Sequence, residues 1–415
     1  MKRFLIALTA FVLVAASASG TPAGRTVVVV MFDGLSPAEL DAARPTPNFD
    51  RLRREGAWSR HLVPAFPTLS LINHTTFLTG CWPAHHGVVS NTFRDPELGW
   101  FAAGSDRDDA VWRTGCETIW EAAERQGVHA AAFNFVDRWR GSHPLAATVN
   151  PEVAWKDHED DETILRRTQA ALAHGTRLIA LYFDFPDSVA HGDGVTGAKT
   201  GQAVRRADAV VGRLLAMLKG RPATLVVGTD HGMTDATAVI NVSRLMNEYD
   251  IHAQAAVDGA STFLYLDNGE SAARVAKALG GYGYAFDVYR TGHYPAYAHI
   301  GSGPRVGDLM LVAKPPYRMV DARGLPWWAN WLGVNRFWSP IFSPGFGVVP
   351  ATHGYPPSVP EMHGVFYVWG AGVVPGEIRR LDQVDVHPTV MKLLGLQPGR
   401  PMDGHAIAAV RSPAG

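Results

Sequence analysis

Six side chains that commonly bind metal ions follow apolar segments of the chain, at positions where strands are expected to end. They are Asp33, Asp187, His191, Asp230, His231 and His353. Each one alone is more simply explained as a helix N-cap or a turn residue. Their joint occurrence at the ends of separate strands is what indicates metal binding. Three carboxylates and three imidazoles suit two Zn²⁺ ions with three protein ligands each, which leaves coordination positions open. Two such ions are a common device for displacement at phosphorus.

A hydroxyl nucleophile is expected beside such a site, and the segment 66–74 contains two candidates, Thr68 and Ser70. The segment leads into a predicted helix through Leu78, so both hydroxyls lie near a helix N-terminus, where backbone N–H groups favour an anion. Ser and Thr are also ordinary N-caps, and on this segment alone capping is the simpler interpretation.

Three apolar runs predict the buried strands that would position these groups. Residues 25–32 end before Asp33, residues 178–183 before Asp184, and residues 223–227 shortly before Asp230. Helical stretches over 161–173 and 201–219 alternate with them, which indicates an α/β fold, a doubly wound and mostly parallel sheet flanked by helices. Ligands of such sheets bind at the carboxyl ends of the strands, so one crevice could collect the polar residues.

The composition changes between residues 251 and 346, where short β-like pieces, Gly/Pro-rich turns and an aromatic segment at 327–338 follow one another. We interpret 251–346 as a smaller inserted α+β cap region. The catalytic domain would then consist of 21–250 and 347–415. The tryptophans of the aromatic segment are better explained as a local core than as a ligand surface.

Residues 1–20 have the pattern of a signal peptide, with a basic start, an apolar run and an Ala16-Ser17-Ala18 end. Because the apolar run is short of the ~20 residues that a membrane span needs, we expect cleavage and export to the periplasm or the medium. Cys81 and Cys116 are the two cysteines, and the sequence leaves open whether they pair.

The charge balance excludes one class of partner. The chain has 38 Lys and Arg against 39 Asp and Glu, without a block of like charge. A basic face for a nucleic-acid polymer or an anionic membrane is therefore not expected. A small phosphate ester is the expected partner, and the oligomeric state stays open.

Six motifs occur in order along the chain. They are Asp33-Gly34, F-P-T-L-S-L-I-N-H from Phe66, T-G-C-W-P-A-H-H-G-V-V-S-N ending at Asn91, F-P-D-S-V-A-H from Phe185, T-D-H-G-M from Thr229, and H-G-Y from His353 with P-E-M shortly after. Together they resemble the nucleotide pyrophosphatase/phosphodiesterase family of the alkaline phosphatase superfamily, over residues 26–404. The resemblance implies an alkaline phosphatase-like fold and a two-zinc hydrolase of phosphate esters that works through a covalent phospho-enzyme.

The resemblance also assigns ligands to the two zinc ions. One ion would be held by Asp187, His191 and His353, and the other by Asp33, Asp230 and His231. His363 competes with His353 for the last position, and the His-Gly-Tyr context favours His353. Four further histidines are expected in structural or surface positions: His74, His85, His86 and His387.

The family's reacting threonine precedes an Asn-His pair by three residues. Counting back from Asn73 reaches Ser70 and not Thr68, so the resemblance makes Ser70 the nucleophile, with its oxygen also a contact of the metal. Zinc coordination would lower the pKa of that hydroxyl. Asn91 takes the place of the family's phosphate-binding asparagine, which stabilises charge in the transition state.

Two positions depart from the family pattern. Leu71 replaces a phenylalanine that stacks on a nucleobase, so apolar contact remains but nucleotide preference is weakened. Asp184-Phe185 replaces a pair of glutamates before the Pro-Asp of the fourth motif. Trp155 or Phe135 could supply substitute stacking, although a core position is the simpler interpretation of both.

These observations predict a phosphodiesterase that cleaves nucleotide, pyrophosphate or related diesters through a phospho-seryl intermediate. A phosphomonoesterase or phosphonate hydrolase with the same metals is the alternative, because zinc ligands do not define the second ester group. A binding protein that keeps the fold without catalysis is disfavoured by the complete ligand set and by the hydroxyl at position 70.

Overall fold

A computed structural model describes residues 24–103, 112–135, 146–151, 158–321, 339–342 and 351–413. The signal-peptide segment 1–20, Trp155 and the aromatic segment 327–338 lie outside the described residues. The interpretations of these segments stay predictions.

Nineteen strands are described. They are β1 (Thr26–Phe32), β2 (Ala57–Val63), β3 (Thr92–Asp95), β4 (Gly99–Ala102), β5 (Ala130–Phe133), β6 (Leu178–Phe183), β7 (Ala223–Thr229), β8 (Thr234–Asp235), β9 (Ala238–Asn241), β10 (Ala253–Asp258), β11 (Ser261–Leu266), β12 (Phe286–Arg290), β13 (Leu309–Ala313), β14 (Tyr317–Val320), β15 (Ile341–Phe342), β16 (Ala351–Thr352), β17 (Gly364–Gly370), β18 (Gly376–Glu377) and β19 (Leu381–Asp382).

The described α-helices alternate with the strands in the first half of the chain. They are α1 (Pro37–Ala42), α2 (Pro47–Glu55), α3 (Ser70–Thr79), α4 (Pro83–His86), α5 (Ile119–Arg125), α6 (Asp161–Ala173), α7 (Asp187–Asp193), α8 (Ala198–Leu218), α9 (Val242–Glu248), α10 (Ala272–Leu279) and α11 (Val386–Leu394).

The main sheet has eight strands in the order β18-β2-β17-β7-β1-β6-β5, with β19 also paired to β2. Strand β1 lies between β6 and β7 and is parallel to both, whereas β17 is antiparallel to its neighbours β7 and β2. Non-sequential neighbours require helical crossovers, which cover the sheet. The doubly wound, mostly parallel α/β fold that the sequence predicts is confirmed.

Strand β1 shows why its sequence is continuously apolar. Val28, Val30 and Phe32 pack on one face of the sheet, with residues of α1, α2, α6 and α8. Val27 and Val29 pack on the opposite face, with residues of α3, α5 and α11. Because successive side chains of a strand point to opposite faces, a strand covered on both sides buries every residue.

A second sheet, in the order β10-β11-β13-β12, is antiparallel throughout. Its apolar residues pack with those of α9 and α10 in one core and with the segments around Phe66 and Phe93 in another. Strand β9 and helix α9, before residue 251, share the first of these cores, so the boundaries of the inserted cap region stay a prediction.

Cys81 and Cys116 form a disulfide, with their Cα atoms 6.6 Å apart, which answers the question that the sequence left open. None of the helices in the described ranges combines the length and the apolar character needed to cross a membrane.

Candidate metal centre and active-site cavity

The carboxyl ends of neighbouring strands bring three carboxylates together. In the register of the sheet Phe32 pairs with Phe183 on one side and with Thr229 on the other, so the residues that follow β1 and β7 leave the sheet side by side. Asp187 joins them because its N–H donates to the Asp33 carbonyl at 3.1 Å. Gly34 is required here, since a Cβ at this position would lie 2.8 Å from the Cβ of Asp187.

Asp33, Asp230 and His231 form what we call the inner cluster. The Nε2 atom of His231 lies 3.4 Å from Asp33 Oδ1 and 3.3 Å from Asp230 Oδ2. The three side chains are 5%, 0% and 0% exposed, respectively. Backbone N–H groups of Gly34 and His231 donate to Asp230 Oδ1, which holds this carboxylate in one orientation.

Asp187, His191 and His353 form the outer cluster. Asp187 and His191 lie one turn apart on α7, with Asp187 Oδ2 3.3 Å from His191 Nε2. His353, which follows β16, places its Nε2 3.6 Å from Asp187 Oδ1. The His191 side chain is 35% exposed, so the outer cluster is the one that opens to solvent.

All three histidines turn the same nitrogen toward the carboxylates. Their Nδ1 atoms lie within hydrogen-bonding distance of backbone carbonyls, His191 of Ala351, His231 of Gly232 and His353 of Thr68, at 3.0, 3.0 and 2.9 Å. An Nδ1–H that donates to a carbonyl leaves the Nε2 lone pair free, which is the arrangement found behind metal-bound histidines.

The carboxylates also have oxygen atoms that a cation would satisfy. Asp33 Oδ1, Asp187 Oδ1 and Asp230 Oδ2 are buried without a hydrogen-bond partner in the described part of the chain. Lone pairs of imidazole and carboxylate that face one another repel unless a cation lies between them. The donor set therefore fits a metal ion in each cluster.

The pKa shifts of the cluster side chains reflect this crowding. Burial, with the neighbouring Asp230, raises the pKa of Asp33. Burial opposes ionisation of Asp187 as well, but His191 outweighs it and lowers the pKa of Asp187. Burial and the adjacent His231 lower the pKa of His353, which keeps that imidazole neutral and able to bind a metal.

Ser70 and Thr68 have different surroundings. Ser70 is the first residue of α3, and its Oγ lies 3.2 Å from Nε2 of His231. Thr68 is fully buried; its hydroxyl donates to the Tyr355 carbonyl and accepts from the Gly354 N–H, both at 2.9 Å. Ser70 thus faces the metal ligands, whereas the Thr68 hydroxyl is hydrogen-bonded to the loop that carries His353.

Asn91 and Leu71 lie beside Ser70. The Leu71 N–H donates to Asn91 Oδ1 at 2.9 Å, which leaves the Asn91 amide nitrogen available as a donor. Leu71 is only 6% exposed because it packs with Phe66 and Ile72. Ser70, Leu71 and Asn91 all line a cavity of about 390 Å³. Its lining is Asp33, Ser70, Leu71, Asn91, Ala103, His158, Tyr182, Asp184, Asp187, Ser188, His191 and His353.

Sequence reasoning missed part of this environment. His74, expected in a structural or surface position, lies one helical turn after Ser70, with Nε2 3.5 Å from Asp230 Oδ2 and 3.8 Å from Asp33 Oδ2. Burial disfavours its charge, but Asp230 and Asp33 outweigh this and raise the pKa of His74 to about 9. The i, i+4 spacing from Ser70 was the available signal. Tyr182, whose hydroxyl donates to Asp33, was missed because it reads as an ordinary strand residue.

Two other candidates lie elsewhere. His363 Nδ1 is 3.2 Å from His61 Nδ1, and its Nε2 is 2.8 Å from the Pro357 carbonyl, so His363 belongs to neither cluster. Phe135 is fully buried in the core beneath the sheet. Phe135 does not line the cavity, and its ring packs against Trp120 and Tyr182.

Comparisons with known proteins agree on a single family. The family described as "Type I phosphodiesterase / nucleotide pyrophosphatase" matches residues 27–343. The rat protein named ectonucleotide pyrophosphatase/phosphodiesterase family member 7 is 26% identical over 421 aligned residues, covering 95% of this chain and 90% of the relative. A venom phosphodiesterase 2 of Crotalus adamanteus is 24% identical, covering 85% of this chain and 43% of the relative.

Solved structures agree with this fold. An inactive form of murine ectonucleotide pyrophosphatase/phosphodiesterase 5, in complex with AMP, matches with a TM-score of 0.79 and 23% identity, covering 92% of this chain and 97% of that one. The human protein of the same name gives the same TM-score at 20% identity. The resemblance seen in the six motifs is confirmed: the chain belongs to the type I phosphodiesterase/nucleotide pyrophosphatase family of the alkaline phosphatase superfamily, and it is a metal-dependent phosphoric ester hydrolase of that type.

Proposed function

We propose that the protein is a two-zinc phosphodiesterase that cleaves nucleotide, pyrophosphate or related phosphate diesters through a covalent phospho-Ser70 intermediate. The observation that carries this proposal is the position of Ser70. Its hydroxyl lies 3.2 Å from the inner-cluster His231 and lines the same cavity as Asn91 and the outer cluster.

The inner cluster would hold one zinc ion through Asp33, Asp230 and His231, and the outer cluster the other through Asp187, His191 and His353. Histidine and carboxylate ligands in threes are the usual composition of catalytic zinc sites. When bound, the two ions supply Lewis acidity that lowers the pKa of the serine hydroxyl and stabilises charge on the leaving oxygen.

Ser70 would attack phosphorus with its Oγ. The Oγ–P bond forms as the bond from phosphorus to the leaving oxygen breaks, and the serine proton passes to solvent. The leaving oxygen takes up a proton from solvent, and the intermediate on Ser70 keeps the second ester group. Water then attacks its phosphorus and breaks the Oγ–P bond, which releases the phosphate monoester and returns a proton to the Ser70 Oγ. Ser70 is the first residue of a ten-residue helix, so the helix dipole favours the negative charge that gathers beside it.

Asn91 would bind a nonbridging phosphate oxygen. Its Oδ1 is occupied by the Leu71 N–H, so the amide nitrogen is the atom that donates. A donor fixed before the reaction stabilises the transition state without reorganisation, and removing one such group typically costs about 10²- to 10³-fold in rate. The cavity of about 390 Å³ is within the range of small-molecule sites.

The murine relative binds AMP, which supports a nucleotide-like ester as one substrate class. Because Leu71 offers only a small apolar surface, we propose that the nucleobase is weakly selected. We also propose that the protein is exported. The signal-peptide pattern of residues 1–20 supports this, as do the names of the relatives, an ectonucleotide pyrophosphatase/phosphodiesterase and a venom phosphodiesterase. The cap region 251–346 remains part of the proposal.

The experiment compares hydrolysis of bis-p-nitrophenyl phosphate with that of p-nitrophenyl phosphate by the zinc-loaded protein. We expect the diester to be cleaved with the higher kcat/KM and the Asn91→Ala variant to lose about 10²-fold on it. The His363→Ala variant serves as a control outside both clusters. A preference for the monoester would favour the phosphomonoesterase alternative, and no turnover of either ester would favour a binding protein.

A further inference from the structure

The turn between β10 and β11, residues 258–261, reaches from the second sheet to the loop that carries Asn91. Asp258 Oδ2 accepts hydrogen bonds from the Ser90 hydroxyl and from the Thr92 N–H, both at 2.8 Å. Asp258 Oδ1 accepts from the Thr92 hydroxyl at 3.3 Å. One carboxylate therefore holds the residues on both sides of Asn91.

The same turn also holds the loop that carries His353. The Ala260 N–H donates to the His353 carbonyl at 2.9 Å, and the Ser261 hydroxyl donates to the Gly354 carbonyl at 2.6 Å. Gly259 has a φ of +54°, and a Cβ at this position would lie 2.4 Å from the His353 carbonyl oxygen. The contact is therefore too close for any side chain, which explains the glycine.

Within the described ranges, Asp258 contacts neither the cavity nor the two clusters. It is absent from the cavity lining, and its hydrogen bonds go to residues adjacent to Asn91 instead of to the clusters. Burial raises the pKa of Asp258 to about 6, so at neutral pH it is a carboxylate that can accept at both oxygens.

We propose that Asp258 is a positioning residue: by binding Ser90 and Thr92 it fixes Asn91 against Ser70, so that the inserted second sheet sets the geometry of phosphate binding. The inference rests on the proposed function, because only that function makes Asn91 the residue that binds the phosphate. It gives the region 251–346 a part in catalysis, although no described residue of that region lines the cavity. A misplacement of about 1 Å can cost about 10²-fold in rate.

The test is a double-mutant cycle on diester hydrolysis. We expect Asp258→Ala to lower kcat by about 10- to 100-fold with little change in KM, and Asp258→Asn to lose less, because one amide oxygen still accepts from Thr92. In the Asn91→Ala background the Asp258→Ala change should cost less than about twofold, since a residue that acts through Asn91 has nothing left to position.

The control is Asp308→Asn. Asp308 Oδ2 accepts from the Leu266 N–H at 2.8 Å in the same sheet, away from Asn91, and its loss should leave kcat unchanged. Should Asp258→Ala fail to fold, Ser90→Ala removes one of the three hydrogen bonds and should lower kcat a few-fold, again only when Asn91 is present.

Equal losses of kcat in both backgrounds, or a wild-type kcat in Asp258→Ala, would overturn the positioning role. An inactive wild-type protein would instead overturn the proposed function, so the two failures are distinguishable. Zinc content and thermal unfolding of each variant, measured in parallel, separate a local effect from loss of the fold.

Discussion

The inner and outer clusters use the same ligand types but are built from different parts of the fold. The inner ligands directly follow β1 and β7, which are neighbours in the sheet, and their side chains are at most 5% exposed. The outer ligands come from the short helix α7 and from the loop after β16, and their side chains are 7% to 35% exposed.

The two clusters also differ in what surrounds them. Backbone N–H groups, the Tyr182 hydroxyl and His74 surround the inner carboxylates, so the protein itself fixes the orientation of these ligands. The outer cluster lines the cavity with all three of its ligands. On the proposed function, the inner cluster would hold its ion rigidly beside Ser70, and the more exposed outer cluster would lie on the side from which the substrate enters.

The largest expected effect concerns Ser70, which lies beside the inner cluster. Ser70→Ala should lower kcat by several powers of ten, because the attacking oxygen is removed. Thr68→Ala should keep much of the activity and instead lower the free energy of unfolding by about 1–3 kcal/mol, since two buried partners lose a hydrogen bond. Steady-state kinetics and denaturant titration of both variants check this. If Thr68→Ala is the dead variant, the assignment of the nucleophile is wrong by two residues.

The next effect tests the comparison of the clusters directly. His231→Ala should lower the free energy of unfolding of the metal-free protein by about 2–5 kcal/mol, because removing a fully buried ring that stacks on His353 leaves a cavity. His191→Ala, in the more exposed outer cluster, should cost less than about 1 kcal/mol.

We expect about two equivalents of zinc in the wild type and close to one in each of these variants. His353→Ala should likewise lose one equivalent, and His363→Ala, its control, none. Metal analysis together with denaturant titration provides the measurement. Equal destabilisation by His231→Ala and His191→Ala would contradict the conclusion that the inner cluster is the more tightly packed of the two.

The smallest effect concerns substrate selection at the cavity that the outer cluster lines. Leu71 lacks the aromatic face whose stacking is worth about 0.5 to 1.5 kcal/mol, so the range of kcat/KM among nucleobases should be modest, roughly three- to tenfold narrower than with an aromatic ring at this position. Leu71→Phe should widen that range. The measurement is kcat/KM over nucleoside and non-nucleotide diesters, with thermal unfolding as a check because Leu71 is packed in a core. A strong preference for one nucleobase that Leu71→Phe leaves unaltered would place base recognition elsewhere.

The strand-end residues could be predicted from the sequence for a simple reason. A strand buried on both faces must be continuously apolar, so the first charged residue after β1 or β7 marks the carboxyl edge of the sheet, and Asp33 and Asp230 follow from that pattern. The order of the six motifs then indicated the family, and the Asn-His offset indicated Ser70.

Other features depend on contacts between segments distant in the chain. His74 is an unremarkable histidine until α3 packs so that its ring faces Asp33 and Asp230. The disulfide of Cys81 with Cys116 required two loops to meet. Asp258 reaches Ser90 across 168 residues, which no local pattern encodes.

The sequence by itself determined the fold class, the family and the residue types at the strand ends, because hydrophobic periodicity and motif spacing are local properties of the chain. Only the tertiary structure decided which imidazole nitrogens face the carboxylates, how deeply each cluster is buried and which distant side chains hold the reacting groups. These properties depend on the packing of separate segments, since burial and hydrogen-bond geometry exist only once the chain is folded.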